Sequence, residues 1–144
     1  MVIDQPLFAH KHHAPARKRL PPERAGIVHK FAVGSFEGYI RCGLYEDGTL
    51  GEVFIKMSKA GSTLSGMMDG FATTLSVALQ YGVPLEVFAD KFIGTRFEPF
   101  GFTGYKPIPE ASSLLDYIFR YLLSKFGKPT NGNGGDHGSK TKTP

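Results

Sequence analysis

Two lysines and a run of small polar residues are the part of this chain best suited to holding a charged ligand. Lys56 and Lys59 stand just before Gly61, Ser62 and Thr63, and the apolar periodicity that follows predicts a helix starting there. The first N–H groups of a helix have no intrahelical partner, and the macrodipole adds positive potential, so such a start attracts anions. The same residues also read as an ordinary cap, with Ser62 or Ser58 accepting a first-turn N–H. Both readings stand: an anion or nucleotide contact at Lys56, Lys59, Gly61, Ser62 and Thr63, or plain capping. The Gly-x4-Gly-Lys-Ser/Thr spacing of a P-loop is absent.

Other candidates are weaker. His10, His12 and His13 lie among Lys11, Pro15 and Arg17. They suggest either a metal or phosphate site or, better, a solvated linker broken by proline. Cys42 is the single cysteine, so neither an intramolecular disulfide nor a cysteine zinc site is available. Its place in an alternating apolar run marks it as a buried structural thiol. His29 reads as a satisfied sheet histidine, and Asp69 as a helix-face acid that is half-buried. Cys-x-x-Cys, His-Glu-x-x-His, Gly-x-Ser-x-Gly and Gly-x-Gly-x-x-Gly are all missing. No catalytic residue and no metal ligand set is assigned. Phe97, Phe100, Phe102 and Tyr105 crowd one connection, which forms either a lid over the core or an exposed docking surface. The lid is the preferred reading.

The elements that must position these groups follow from pattern. Residues 27–33, 38–45 and 51–57 alternate apolar and polar and form three strands. Glu46-Asp47-Gly48-Thr49 supplies the hairpin turn between the last two. Residues 61–84 form a long helix with Leu64, Met67, Met68, Phe71, Leu75, Ala78 and Leu79 on one face, stopped by Gly82 and Pro84. Gly66 and Gly70 inside it suggest that another element crosses there at backbone distance. This helix is expected to be the buried one on which the rest packs. Residues 85–93 form a short helix, with Leu85, Phe88 and Phe92 on one face and Gly94 ending it. Residues 95–108 form a long irregular connection, in which Arg96 and Glu98 pair locally. Pro109-Glu110 opens the last helix, whose apolar face is Leu114, Leu115, Ile118, Leu122 and Phe126. Asp116, Arg120 and Lys125 are left for its outer face. The fold class is α+β: a three-stranded antiparallel meander covered by a long central helix, a short helix and a C-terminal helix.

A length of 144 residues bounds this to one domain with tails. Residues 1–24 carry five basic against two acidic side chains, and residues 127–144 carry three against one. The segment between them is close to neutral, with nine basic and ten acidic groups. The basic pI of about 9.2 therefore belongs to the ends, which read as a disordered arm (1–24) and a disordered tail (128–144) around a domain at 25–127. Nucleic acid would be held through those tails. One cysteine suits a reducing cytoplasm, Met1-Val-Ile-Asp4 opens no secretory signal, and no run approaches the ~18 apolar residues of a membrane span. The expectation is a cytoplasmic protein without a membrane partner.

Several stretches together carry a family resemblance. They are Arg19-Leu-Pro-Pro-Glu-Arg24, Tyr45-Glu-Asp-Gly-Thr-Leu-Gly-Glu-Val-Phe-Ile55, Lys59-Ala-Gly-Ser-Thr-Leu-Ser-Gly66, Met68-Asp-Gly-Phe-Ala72, Leu79-Gln-Tyr-Gly-Val-Pro-Leu85, Asp90-Lys-Phe92, Thr95-Arg-Phe-Glu-Pro99, Gly101-Phe-Thr-Gly104 and Leu115-Asp-Tyr-Ile-Phe-Arg120. In that order they resemble the C-terminal TSCPD module of adenosylcobalamin-dependent class II ribonucleoside-diphosphate reductases, over about residues 19–126. The literal string Thr-Ser-Cys-Pro-Asp is missing. The resemblance implies a link to deoxyribonucleotide synthesis. It also implies adenosylcobalamin for the full reductase, with no cofactor bound by this chain alone. The family's reaction needs a catalytic barrel, a radical-forming cysteine and a reducing cysteine pair, and a chain with one cysteine cannot cycle a dithiol. The resemblance thus implies a detached module working with a separately encoded reductase catalytic chain, without turnover of its own. The alternative is an independent nucleotide- or nucleic-acid-binding module.

Overall fold

The computed structural model describes residues 15–129. β1 (Gly26–Val33), β2 (Phe36–Leu44) and β3 (Leu50–Ser58) form an antiparallel sheet in the order β1-β2-β3, as the alternation predicts. Its inner face carries the apolar rows Ile27–Cys42–Val53 and His29–Ile40–Ile55. Val33, Ile40, Val53 and Ile55 are fully buried. At the β2–β3 turn Gly48 takes φ 82°, and the Asp47 carboxylate accepts from the Thr49 N–H (3.0 Å) and hydroxyl (2.6 Å).

Helix α1 (Ser62–Gln80) follows, then α2 (Leu85–Phe92), a hairpin of β4 (Gly101–Tyr105) and β5 (Ile108–Ala111), and α3 (Leu114–Phe126). The burial of these helices reverses the expected hierarchy. α1 buries only Met68, Ala72, Leu75 and Gln80, and Met67 is 68% exposed rather than on the core face. α3 buries Leu114, Asp116, Tyr117, Ile118, Phe119, Tyr121 and Leu122, which point in nearly all directions. A helix apolar around most of its circumference is an interior helix. Its two sides have different partners. Tyr117 stacks on Phe31 of β1 at 5.2 Å, while Phe119 meets Phe71 of α1 at 5.9 Å and Phe92 of α2 at 5.3 Å. The most enclosed helix is therefore the last one, which meets the sheet through Tyr117 and the other two helices through Phe119, while α1 packs directly along β3, its Ser76 hydroxyl bonded to the Val53 N–H and carbonyl.

Gly66 and Gly70 do not face a close neighbour. Nothing lies within 4 Å of a Cβ built on either. The reason is geometric: at 3.6 residues per turn each sits about 160° from Met68, on the far side of the helix. With φ in the helical range and open space outside, Gly66→Ala and Gly70→Ala are expected to stabilise the fold by about 0.5–1 kcal/mol each. Thermal unfolding checks this; a lowered midpoint would mean that the outer face of α1 is occupied.

Four further expectations are corrected. α1 has Gly61 as N-cap and no side-chain cap. The serine cap belongs to α3, where the Ser113 hydroxyl accepts the Asp116 N–H at 3.0 Å. Pro109 and Glu110 lie in β5 and do not open that helix. Residues 95–108 are not a structureless connection, because Gly101↔Ala111 and Phe102↔Glu110 pair across a hairpin. The Gly34 N–H donates to the Phe102 carbonyl at 3.0 Å and ties that hairpin to the sheet. Arg96 and Glu98 make no ion pair; among the described residues the pairs are Arg24–Glu52 and Arg120–Asp116.

Part of the expected arm is seated on the domain. Gln80 is buried and spends its side chain on both ends of the chain's path: its amide donates to the Gly51 carbonyl (3.0 Å) and its oxygen accepts from Arg17 (2.8 Å). The Lys18 N–H reaches the Gln80 carbonyl at 2.9 Å, and the Tyr45 hydroxyl donates to the Lys18 carbonyl at 2.5 Å. His10, His12 and His13, and the tail from residue 130 onward, lie outside the described residues. Among the described residues no helix is long and apolar enough to cross a membrane.

Candidate functional site

The residues expected to gather at the start of α1 are divided between two places. Gly61, Ser62 and Thr63 are exposed there, and Lys59 adopts φ 56° in the preceding loop. Lys59 borders a hollow with Ser35, Phe36, Glu37 and Ser58. Lys56 lies on the outer face of β3 and lines a different hollow with Val28, Arg41 and Phe54. The two lysines thus serve separate surfaces. Asp69 is exposed on α1, so it has no half-buried role.

The four aromatic residues of the 97–105 segment also part company. Phe97, Phe100 and Phe102 are exposed, Phe102 the most so. Tyr105 turns inward and meets the His29 ring edge-on at 4.9 Å. The packed lid describes Tyr105 alone; the three phenylalanines are turned outward.

His29 is satisfied, as expected of a sheet histidine. Its Nε2 is 2.7 Å from the Tyr117 hydroxyl, and its ring stacks on Tyr121 at 4.0 Å. Burial, with the nearby Lys125 charge, lowers its pKa below the ordinary value and keeps it neutral. Cys42 is buried on the inner face, and burial pushes its thiol up to about 12. A thiol held that far from the thiolate form is chemically quiet. Among the described residues no three His, Cys, Asp or Glu side chains are placed to share a metal ion.

The surface best equipped for a ligand is one that sequence reasoning did not assemble. The register places Val28, Arg41 and Phe54 in one row across the outer sheet face, and Lys30, Tyr39 and Lys56 in the next. Val28 is 63%, Phe54 52% and Tyr39 37% exposed. Among the described residues no helix covers this face. Three cations thus stand among two aromatic rings with no acid in either row. Two acids adjoin these rows: in Gly26–Gly43–Glu52 the carboxylate folds over Gly43 and is bound by Arg24 at 2.6 Å, whereas in Ala32–Glu37–Ser58 Glu37 is exposed, so the cations outnumber the free acid on this face by three to one. A shallow hollow of about 450 Å³ opens beside the Gly26–Gly43–Glu52 row, with Arg41, Phe54 and Lys56 in its lining. Positive charge beside exposed π-faces suits anionic ligands that also carry flat rings. The signal was present in the alternate positions of each strand, but only the register puts them side by side.

Comparison with known proteins adds descent. The TSCPD domain model matches residues 12–125. A vitamin B12-dependent ribonucleotide reductase from Rhodopirellula baltica is 54% identical over 110 residues, covering 76% of this chain and 11% of the relative. That of Streptantibioticus cattleyicolor is 54% identical over 114 residues, covering 79% and 19%. That of Bradyrhizobium diazoefficiens is 47% identical over 111 residues, covering 76% and 9%. The chain thus spans between about a tenth and a fifth of the length of these relatives. No solved structure gives a significant match.

Proposed function

Since this chain belongs to the TSCPD domain family, we propose that it serves the reduction of ribonucleotides to deoxyribonucleotides by a vitamin B12-dependent reductase, as an accessory module beside a separately encoded catalytic chain. The observation that carries this reading is the family match over residues 12–125, which spans the domain from before β1 to the last turn of α3.

In this reading turnover and cofactor belong to the catalytic chain. Two features of the domain support that division. His29, the one histidine among the described residues, is held by Tyr117 and Tyr121 and is not free to ligate a corrin metal. Cys42 is enclosed and protonated, which unsuits it to radical or thiolate chemistry. On these two counts the described residues do not fit adenosylcobalamin.

The test is co-purification from the native source together with deletion. The expected result is recovery with a reductase large chain, and reductase activity that falls when the module is removed. Recovery alone with undiminished activity would sink the proposal. A second reading, a binding module independent of any reductase, is favoured by one observation: the cations and rings of the outer sheet face.

A further inference from the structure

We propose that the outer face of the β1–β2–β3 sheet binds single-stranded nucleic acid, with Tyr39 and Phe54 stacking on bases and Lys30, Arg41 and Lys56 holding the phosphates.

The first argument is placement. Tyr39 lies opposite Lys30 on one neighbouring strand and Lys56 on the other, each about 4.8 Å away across the sheet. Arg41 lies between Val28 and Phe54 in the next row. Tyr39 and Phe54 are diagonal neighbours, about 7–8 Å apart, so each ring can take one of two successive unstacked bases. Antiparallel sheets that read single strands use this device, aromatic rings on the open face with cations along the backbone path.

The second argument is charge. The segment between the tails is nearly neutral overall, yet three of its cations meet on this face against a single exposed acid, Glu37, the other adjoining acid, Glu52, being cancelled by Arg24. The chain ends add further positive charge to whichever polyanion arrives.

The third argument excludes the duplex. Bases in a double helix are stacked and hide their faces, and reading them needs a helix or ribbon that enters a groove. This surface is an open sheet three strands wide with a shallow hollow. It can meet splayed bases but cannot enter a groove. An acidic protein surface would match the cations, but it gives no use to rings exposed between them.

The experiment is fluorescence anisotropy on the full chain with a labelled oligodeoxythymidine of about 12 nucleotides, long enough to cross one such face. Binding is expected at about 50 mM salt and should weaken as salt rises. Tyr39→Ala and Phe54→Ala should each weaken it by about tenfold, the loss of one stacked base. Arg41→Ala should lower the slope of log affinity against log salt by about 0.7. Met67→Ala, on the exposed side of α1, should change nothing. All four side chains are exposed, so unchanged circular dichroism and thermal midpoints will show that the variants fold. Three binding results would overturn the proposal. One is no binding at low salt. Another is equal affinity in all the variants, which would move the site to the basic tails. The last is duplex competing as well as single strand. If the sheet variants instead lose only a reductase catalytic chain, the face is a protein interface and the proposal fails.

Discussion

Asp116→Ala is expected to destabilise the domain by about 3–5 kcal/mol, the cost of leaving buried partners of a charge unpaired. The side chain expected on the outer surface of α3 is buried, and its two oxygens close three segments together. Oδ1 accepts the Gly94 N–H at 2.8 Å, just after α2. Oδ2 accepts the Ser112 N–H at 3.1 Å, just after β5, and the Arg120 guanidinium at 3.3 Å, one turn on. Arg120 in turn donates to the Glu110 carbonyl at 2.7 Å. Alanine would orphan the two backbone donors and leave the guanidinium only its bond to Glu110. Asp116→Asn keeps the shape but loses the charge and turns an acceptor into a donor, so it should recover only part of the loss.

The same carboxylate sets an acid limit. Burial alone would raise its pKa, but the Gly94 and Ser112 N–H groups and Arg120 outweigh burial and hold it below the ordinary 3.8. A carboxyl depressed in the folded state contributes fully above its unfolded pKa and loses that contribution as pH falls through the folded value. The stability of the native chain should therefore decline below about pH 4, and Asp116→Ala should flatten that decline. Denaturant titrations of both proteins between pH 2 and pH 7 measure it. Equal pH slopes would show that the carboxylate is not the linked group.

The second large effect separates the two long helices. Leu122→Ala in α3 is expected to cost about 2–5 kcal/mol, because Leu122 is fully buried and its surroundings are held from two sides. In a domain of this size that lowers the thermal midpoint by about 10 °C or more. Met67→Ala in α1 should shift it by no more than about 0.5 kcal/mol. Comparable losses at both positions would restore α1 as the organising helix.

The strands, the three helices and the Asp47-Gly48 turn were legible because each is written in local pattern: period two, period 3.6, and residues that tolerate positive φ. The hairpin of β4 and β5 was not, since five- and four-residue strands rich in Gly and Pro carry little alternation. Ser113 and Asp116 stand three apart, a capping spacing overshadowed by Pro109, whose preference for a first helical position proved compatible with a strand.

Chemistry followed the same division. That Cys42 is quiet and His29 satisfied could be inferred from their place in alternating strands, because alternation states which face a side chain takes. The lysines read together from nearness in sequence, Lys56 and Lys59, belong to different hollows. The groups that do meet, Lys30, Tyr39, Arg41, Phe54 and Lys56, come from three strands.

By itself, then, the sequence determined the α+β class, the family, and the polarity of each element's faces, since these depend on neighbours along the chain. Which helix is most enclosed, where Gly66 and Gly70 point in space, how Asp116 ties α2 and β5 to α3, and what stands on the open sheet face were decided by tertiary structure. Each depends on partners distant in sequence: strand register and helix packing choose them, and no single segment carries that choice.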